Sequence, residues 1–212
     1  MADDIETTDG AQISVVTEMS RCIHSRNCVL GLPGVFVPNA VGPWVNPDSD
    51  AAESIAAVAR SCPSGAIRYH RNDGGPQEAP PDVNTVRIRE NGPLAFYAEL
   101  TIAGDSTSFR ATLCRCGASS KKPYCDGSHR QANFLATGEP ATVETPSLTR
   151  RNGPLAVTPT PNGPLMVVGS AEIVSGTGRT VTKTEKSFLC RCGASQNKPF
   201  CDGSHAKAGF KA

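Results

Sequence analysis

Several things are scarce or missing in this 212-residue sequence. No run approaches 18 consecutive apolar residues, which excludes a membrane-spanning helix. The first ten residues, MADDIETTDG, are acidic and carry no apolar stretch, so no secretory signal is expected. Aromatic residues make up only 5% and hydrophobic residues 38%, which argues against one large core. There is no G-x-G-x-x-G, no Walker loop, no nucleophile–base pair and no carboxylate dyad, so the chain is not read as an enzyme. Charge of one sign is lacking too: 21 Lys and Arg stand against 20 Asp and Glu, which disfavours general nucleic-acid binding.

What is present is glycine (20), proline (17) and nine cysteines. The first two point to small, turn-rich modules that need an added source of stability. Nine thiols without an export signal suggest a reducing, cytoplasmic setting, where metal ligation is a better default than disulfides. Unrelated buried cysteines are the alternative, and spacing decides between them. Cys22, Cys28 and Cys62 form one triplet; Cys114, Cys116 and Cys125 a second; Cys190, Cys192 and Cys201 a third.

The last two triplets belong to an internal repeat. Residues 113–134 (LCRCGASSKKPYCDGSHRQANF) and 189–210 (LCRCGASQNKPFCDGSHAKAGF) share C-x-C-x8-C-x3-H at a displacement of 76. NGPLAF (91–96), NGPLAV (152–157) and NGPLMV (162–167) lie upstream. The Gly-Ala-Ser turn and the proline bring the chain back to the third Cys. Cys125/His129 and Cys201/His205 are four apart, the spacing of one helix face, with Asp126 and Asp202 as N-caps. A ring in a first helical turn would stay neutral and able to ligate. Three thiolates and one imidazole suit a structural zinc ion; two separate ligand pairs suit a two-iron cluster.

The motif C-x-C-x2-S-x3-P-x-C-D-G-S-H resembles the CDGSH iron–sulfur domain of the mitoNEET family. Both copies match throughout: Cys114, Cys116, Ser119, Pro123, Cys125, Asp126, Gly127, Ser128 and His129, then Cys190, Cys192, Ser195, Pro199, Cys201, Asp202, Gly203, Ser204 and His205. The resemblance implies two 2Fe-2S clusters. Cys114 and Cys116 would hold the inner iron of the first and Cys125 and His129 the outer one. Cys190 and Cys192, then Cys201 and His205, would repeat the scheme. It also implies an intramolecular pseudo-dimer with a β-sandwich cap, since family members with one motif form homodimers. The membrane anchor of mitoNEET has no counterpart here. VRIRE (86–90), LAFYAELTI (94–102), SFRATLC (108–114), LMVVGSAEIVSG (165–176) and EKSFLC (185–190) are strand-like runs consistent with that fold. With few large apolar residues behind them, bound clusters are expected to supply much of the folding free energy.

The first triplet differs. Cys22-x5-Cys28 followed by Cys62-Pro63 is similar to divergent mono-cluster ferredoxins, including the 3Fe-4S ferredoxins that serve bacterial monooxygenases. That resemblance covers about residues 13–70 and implies one 3Fe-4S or 4Fe-4S cluster on Cys22, Cys28 and Cys62. Ser25 stands at the middle cysteine position; His24 or Ser25 could be a fourth ligand, with His24 read first as a surface residue. SDAAESIAAVARSC is predicted as a helix, started by Asp50 and Glu53 in a capping-box-like pair and stopped by Pro63. His70 follows a strand-like AIRYH and is read as a surface residue.

The expected organisation is α+β: a flexible tail (1–12), a ferredoxin domain (13–72), a linker (73–82) and CDGSH modules at 83–137 and 138–212. Residues 1–81 carry ten acidic and five basic residues, while all seven lysines lie beyond them. Arg115, Lys121, Lys122, Arg191 and Lys198, beside the motifs, could meet an acidic partner. The expected function is electron carriage by a monomer that meets a redox partner protein (a reductase, a monooxygenase or an apo-protein acceptor). Cluster storage, transfer or redox and pH sensing is the alternative, and a zinc-stapled interaction module a lesser one.

Overall fold

The structure, a computed structural model, describes residues 4–106 and 108–212 and is mixed α and β, mostly sheet. It divides into two compact units, residues 1–79 and 80–212. Each has its own aliphatic core.

In the first unit, β1 (Ile5–Thr8), β2 (Ile13–Glu18) and β3 (Ile67–Arg71) form an antiparallel sheet with β2 central. The central position explains why β2 is buried on both faces. Strand β1 corrects the expected tail: residues 5–8 pair with 15–18, and residues 1–3 lie outside the described residues. Between β2 and β3 come a short 3-10 turn (Met19–Arg21), α1 (Asn27–Gly31) and α2 (Ala52–Arg60). Ile55, Ala56 and Ala59 of α2 pack on Ile13, Val15, Phe36 and Tyr69. Each fully buried Val, Ile or Phe there contributes about 1.5–3 kcal/mol.

The expected capping box is absent. Ala51 is the N-cap of α2 and makes no side-chain cap, while Asp50 accepts from the N–H of Ala51. Glu53 turns away to pair with Arg60 and Arg71, both at 2.9 Å. Charge partners at the far end of α2 and on β3 have outcompeted the local cap. The start of the expected linker is also folded: Arg71 donates its N–H to Gln77, Gln77 donates back to Arg71, and Arg71 pairs with Asp73 at 2.6 Å.

The second unit is an eight-stranded sheet among the described residues. Its strands are β4 (Thr85–Ile88), β5 (Leu94–Tyr97), β6 (Glu99–Ile102), β7 (Asp105–Ser106), β8 (Arg110–Leu113), β9 (Pro154–Pro159), β10 (Leu165–Val174) and β11 (Thr180–Leu189). The run 94–102 breaks at Ala98 into two strands, whereas its counterpart β10 continues through a register shift between Val168 and Ala171. The repeat is visible in the registers. Ile88 faces Leu94 as Pro159 faces Leu165, and Leu94 faces Leu113 as Leu165 faces Leu189.

The two copies then exchange strands. β6 of the first copy runs parallel to β9 of the second, with Thr101 beside Ala156. β10 of the second runs parallel to β4 of the first, with Glu172 beside Thr85. The boundary expected at 137/138 therefore does not divide the structure. Val86, Ile88, Leu94, Phe96, Leu155, Val157, Leu165 and Ile173 share one core drawn from both copies.

Candidate metal centres

Each repeat builds its ligand set from a strand end and the segment that folds back on it. β8 ends at Leu113, and the N–H of Cys114 donates to Pro123 O (2.8 Å) while that of Cys125 donates to Thr112 O (2.9 Å). The second copy repeats this with Cys190 to Pro199 O and Cys201 to Phe188 O, both 2.8 Å. Pairing of the returning segment with the strand thus places the third cysteine beside the first two. Peptides Lys122–Pro123 and Lys198–Pro199 are both cis.

The motif's polar residues hold this loop. Ser119 Oγ donates to Tyr124 O, and Ser195 Oγ to Phe200 O, each at 2.7 Å. Asp126 accepts from the N–H groups of Ser120 (2.8 Å) and Ser128 (3.0 Å), and Asp202 from those of Gln196 (2.8 Å) and Ser204 (3.0 Å). Burial opposes ionisation of Asp126, but the bonds from Ser128 and Ser120 outweigh it and hold the carboxyl low. Backbone donors from Gln196 and Ser204 do the same for Asp202.

Neither aspartate caps a helix. The first copy has only turns after Asp126, and the second has a four-residue helix, α3 (Ser204–Lys207), whose N-cap is Gly203 at φ 87°. The third cysteine lies outside the helix, so the turn and not a helix face brings Cys and His together. The left-handed residue after the aspartate, Gly127 at φ 89° or Gly203, is what makes that turn.

The donor spacings test what this set could hold. Cys114 and Cys116 sulfurs are 3.7 Å apart and Cys190 and Cys192 sulfurs 3.8 Å. Cys125 Sγ lies 3.5 Å from His129 Nδ1, and Cys201 Sγ 3.4 Å from His205 Nδ1. Two sulfurs on one tetrahedral metal with bonds of about 2.3 Å stand about 3.7 Å apart, and sulfur and imidazole nitrogen about 3.5 Å apart. Each pair is therefore spaced to hold a metal of its own, as a two-iron cluster requires. Among the described residues, no three Cys, His, Asp or Glu side chains converge as a single-ion site would need.

The electrostatics of the donors are divided: one thiol is lowered, three others are raised, and one imidazole is lowered. A hydrogen bond from Cys116 lowers Cys114 to about 6 and raises Cys116 in turn. Burial pushes Cys125 up to about 11 and also raises Cys190. Burial, then Arg130, lowers His129, which keeps its ring neutral near pH 7. The expected neutral ring is met in the first copy by desolvation, not by a helix dipole.

The two motifs touch. Cys116 and Cys192 form an isolated antiparallel bridge. A Cβ on Gly117 would stand 2.5 Å from Cys192 O, and one on Gly193 2.5 Å from Cys116 O. Both glycines have positive φ, 82° and 81°.

Sequence reasoning misplaced two of the basic residues beside the motifs. Arg115 and Arg191, expected to face a partner, are 0% and 3% exposed. Lys122 and Lys198 bond the carbonyls of Ser119 and Ser195 through Nζ, while Lys121 is exposed. Each arginine directly follows a buried cysteine at a strand end, but nothing in the sequence marked that cysteine as buried.

In the first unit, Cys22, Cys28 and Cys62 line one cavity of about 390 Å³, together with His24, Ser25, Trp44, Ser64 and Ile67. Burial raises Cys22 and Cys28, and each also feels the charge of Cys62. Cys22 sits at the end of the 3-10 turn, Cys28 in α1 and Cys62 just past α2, so three separate elements supply the thiols. His24 Nδ1 is 3.9 Å from Cys22 Sγ, and Ser64 Oγ 3.6 Å from Cys62 Sγ. Three thiols line one largely apolar hollow, the number of donors that three corners of a cubane-type cluster would take. His70 is exposed on β3.

Two paired-donor motifs and a three-thiol cavity on one chain are the donor sets of a metal-binding protein. Comparison with known families agrees. The family described as "Iron-binding zinc finger CDGSH type" matches residues 80–130 and 162–206, and that described as "Divergent 4Fe-4S mono-cluster" matches residues 8–72. The chain is 37% identical over 60 residues to "Uncharacterized protein YjdI" of Escherichia coli (strain K12), a match covering 28% of this chain and 78% of that protein. The protein of the same name from Escherichia coli O157:H7 matches to the same extent. The chain belongs to the CDGSH iron-binding family through two repeats, with a divergent 4Fe-4S mono-cluster domain ahead of them. It is an iron–sulfur protein. No helix among the described residues is long and apolar enough to cross a membrane.

Proposed function

We propose that this protein is an electron carrier without catalytic chemistry of its own. On this reading Cys114, Cys116, Cys125 and His129 hold one 2Fe-2S cluster and Cys190, Cys192, Cys201 and His205 a second. Cys22, Cys28 and Cys62 hold a 3Fe-4S or 4Fe-4S cluster. The observation that carries the reading is the direct bridge between Cys116 and Cys192, which joins two ligand sets through adjacent backbone. Iron–sulfur clusters supply one-electron redox chemistry when bound. The chain's own residues bury the inner thiols, orient the His nitrogens and fix the loops by Ser119, Asp126, Ser195 and Asp202. The strand exchange between repeats is the internal counterpart of a homodimer, a pseudo-dimer with a sandwich-like cap, so a monomer suffices. A soluble redox partner protein completes the role.

Iron, sulfide and zinc per chain, measured on anaerobically purified protein alongside low-temperature EPR, test this. About seven irons with an isotropic signal in the oxidised state support two 2Fe-2S clusters and one 3Fe-4S; about eight without that signal support 4Fe-4S at the first site. Zinc in place of iron and sulfide sinks the proposal. Partial exposure of both motif histidines favours a second role in cluster transfer or sensing. Passage of intact cluster to an apo-ferredoxin faster than electron transfer would put that role first.

A further inference from the structure

Cys22, Cys116, Cys125, Cys192 and Cys201 share one local feature. Each sulfur accepts, at 3.4–3.5 Å, a hydrogen bond from the backbone N–H two residues further along. At Cys62 the residue two further along reaches the sulfur with its side chain: Ser64 Oγ stands 3.6 Å from Cys62 Sγ. Pro63, between them, has no N–H to offer. Ser64 lines the three-thiol cavity of the first unit and is only 3% exposed.

A buried hydroxyl needs an acceptor for its proton. Ser64 Oγ already accepts from the N–H of Ala66, at 3.4 Å, which leaves its own proton to be placed. While Cys62 is a thiol, either the oxygen or the sulfur can donate between them. Iron removes that choice, because a ligating cysteine is a thiolate and only accepts. The hydroxyl is then the donor. Few water molecules compete with it at 3% exposure, and a hydrogen bond is electrostatically stronger in such surroundings.

We propose that Ser64 is a positioning residue for the centre on Cys22, Cys28 and Cys62: its hydroxyl donates to the Cys62 thiolate and raises the reduction potential of that centre. The proposal rests on the reading that this cavity holds an iron–sulfur cluster. Reduction brings one electron from the redox partner and puts more negative charge on the sulfurs. A donor aimed at one of them stabilises the reduced state more than the oxidised one. Backbone donors stay in place whatever the side chain, whereas the bond at Cys62 is one that a point substitution deletes outright. Ser64 therefore adjusts the first centre while leaving the two CDGSH centres as they are.

The test titrates the full chain with dithionite and follows it by low-temperature EPR. A 3Fe-4S centre is read from its isotropic signal in the oxidised state, a 4Fe-4S centre from a reduced signal that relaxes faster than those of the 2Fe-2S pair. Ser64→Ala is expected to lower the potential of the first centre, severalfold in the equilibrium for one electron, where tenfold is about 59 mV. The potentials of both CDGSH centres should not move, and Ser64→Thr, which keeps the hydroxyl, should restore most of the shift. An unchanged or raised potential in the alanine variant, at wild-type iron and sulfide content, overturns the proposal. Equal shifts in the alanine and threonine variants do the same. Should the alanine variant lose its cluster, the wild type decides. A hydroxyl exchanges its proton sooner than hydrogen-bonded amides do, so brief exposure to D2O should place a strongly coupled deuteron beside the first centre in pulsed EPR; its absence overturns the proposal. Wild-type chains with about four irons and four sulfides, and no signal beyond the CDGSH pair, would overturn the cluster reading itself and the proposal with it.

Discussion

At the scale of the residue, the weak member of the proposed donor set in each CDGSH motif is the histidine. Imidazole binds metal only when neutral, so protons compete with iron for Nδ1 as the pH falls below about 6. Burial delays this at His129 by lowering its affinity for protons. His129→Cys with His205→Cys replaces a neutral donor by a thiolate. The visible absorbance of the double variant should then decay several-fold more slowly than that of wild type at about pH 5.5. Decay at the wild-type rate would mean that acid attacks elsewhere. The paired Cys and His side chains of the two motifs were legible in the sequence as candidate donors, because residue type and spacing of that kind are imitated by no strand or helix propensity. The arginines were not legible. A basic residue beside a motif is usually solvated, and only the carbonyl cage from residues 89, 92, 136 and 137 reveals that Arg115 points inward.

The elements carry two further expectations. Gly117 and Gly193 have positive φ and backbone of the opposite motif 2.5 Å from where a Cβ would sit. Gly127 and Gly203 have similar φ but nothing within 4 Å. Gly203→Ala should therefore cost only the left-handed strain of about 1–2 kcal/mol. Gly193→Ala must also displace the Cys116 carbonyl, so it should lower iron content in both motifs and the melting temperature far more. Equal effects of the two variants would show that the bridge does not hold the motifs together. In the first unit, the bond from Arg71, then that from the Gly75 N–H, lowers Asp73 to about 2 from 3.8. A depressed carboxylate contributes stability above its unfolded value and loses it as the pH falls toward the folded one. Asp73→Asn should thus narrow the stability gap to wild type between about pH 4 and pH 2, with little difference left at the lower end. Asp73 is exposed and Arg71 half-buried, so the gap is small and shrinks in salt. Denaturant midpoints across that range measure it. The capping-box expectation failed at the same place and for a related reason: Arg60 and Arg71 claim Glu53, and neither lies within the N-terminal turn that sequence spacing can address.

For the whole molecule, the repeat was plain in the sequence but its consequence was not. Two similar segments in tandem suggest two modules in tandem, and period alone does not say which strands pair. The parallel contacts β4–β10 and β6–β9 cross between copies, and one core draws on both. A copy cut free would expose a sheet edge and half of that core, a loss no single module of this aliphatic content can bear. The segment joining the copies is the place to ask. Thr149 and Arg150 are exposed, and the chain around them contributes no strand. A specific protease site inserted between Leu148 and Thr149 should be cleaved in the native state. The two pieces should then stay together through gel filtration, keep both CDGSH clusters, and separate only in denaturant. Independent modules would instead part on cleavage, each retaining its own iron. Association after cleavage would also show that the covalent link is dispensable once the strands have exchanged. The duplicated chain would then differ from a dimer of single-motif chains mainly in the effective concentration at which its halves meet.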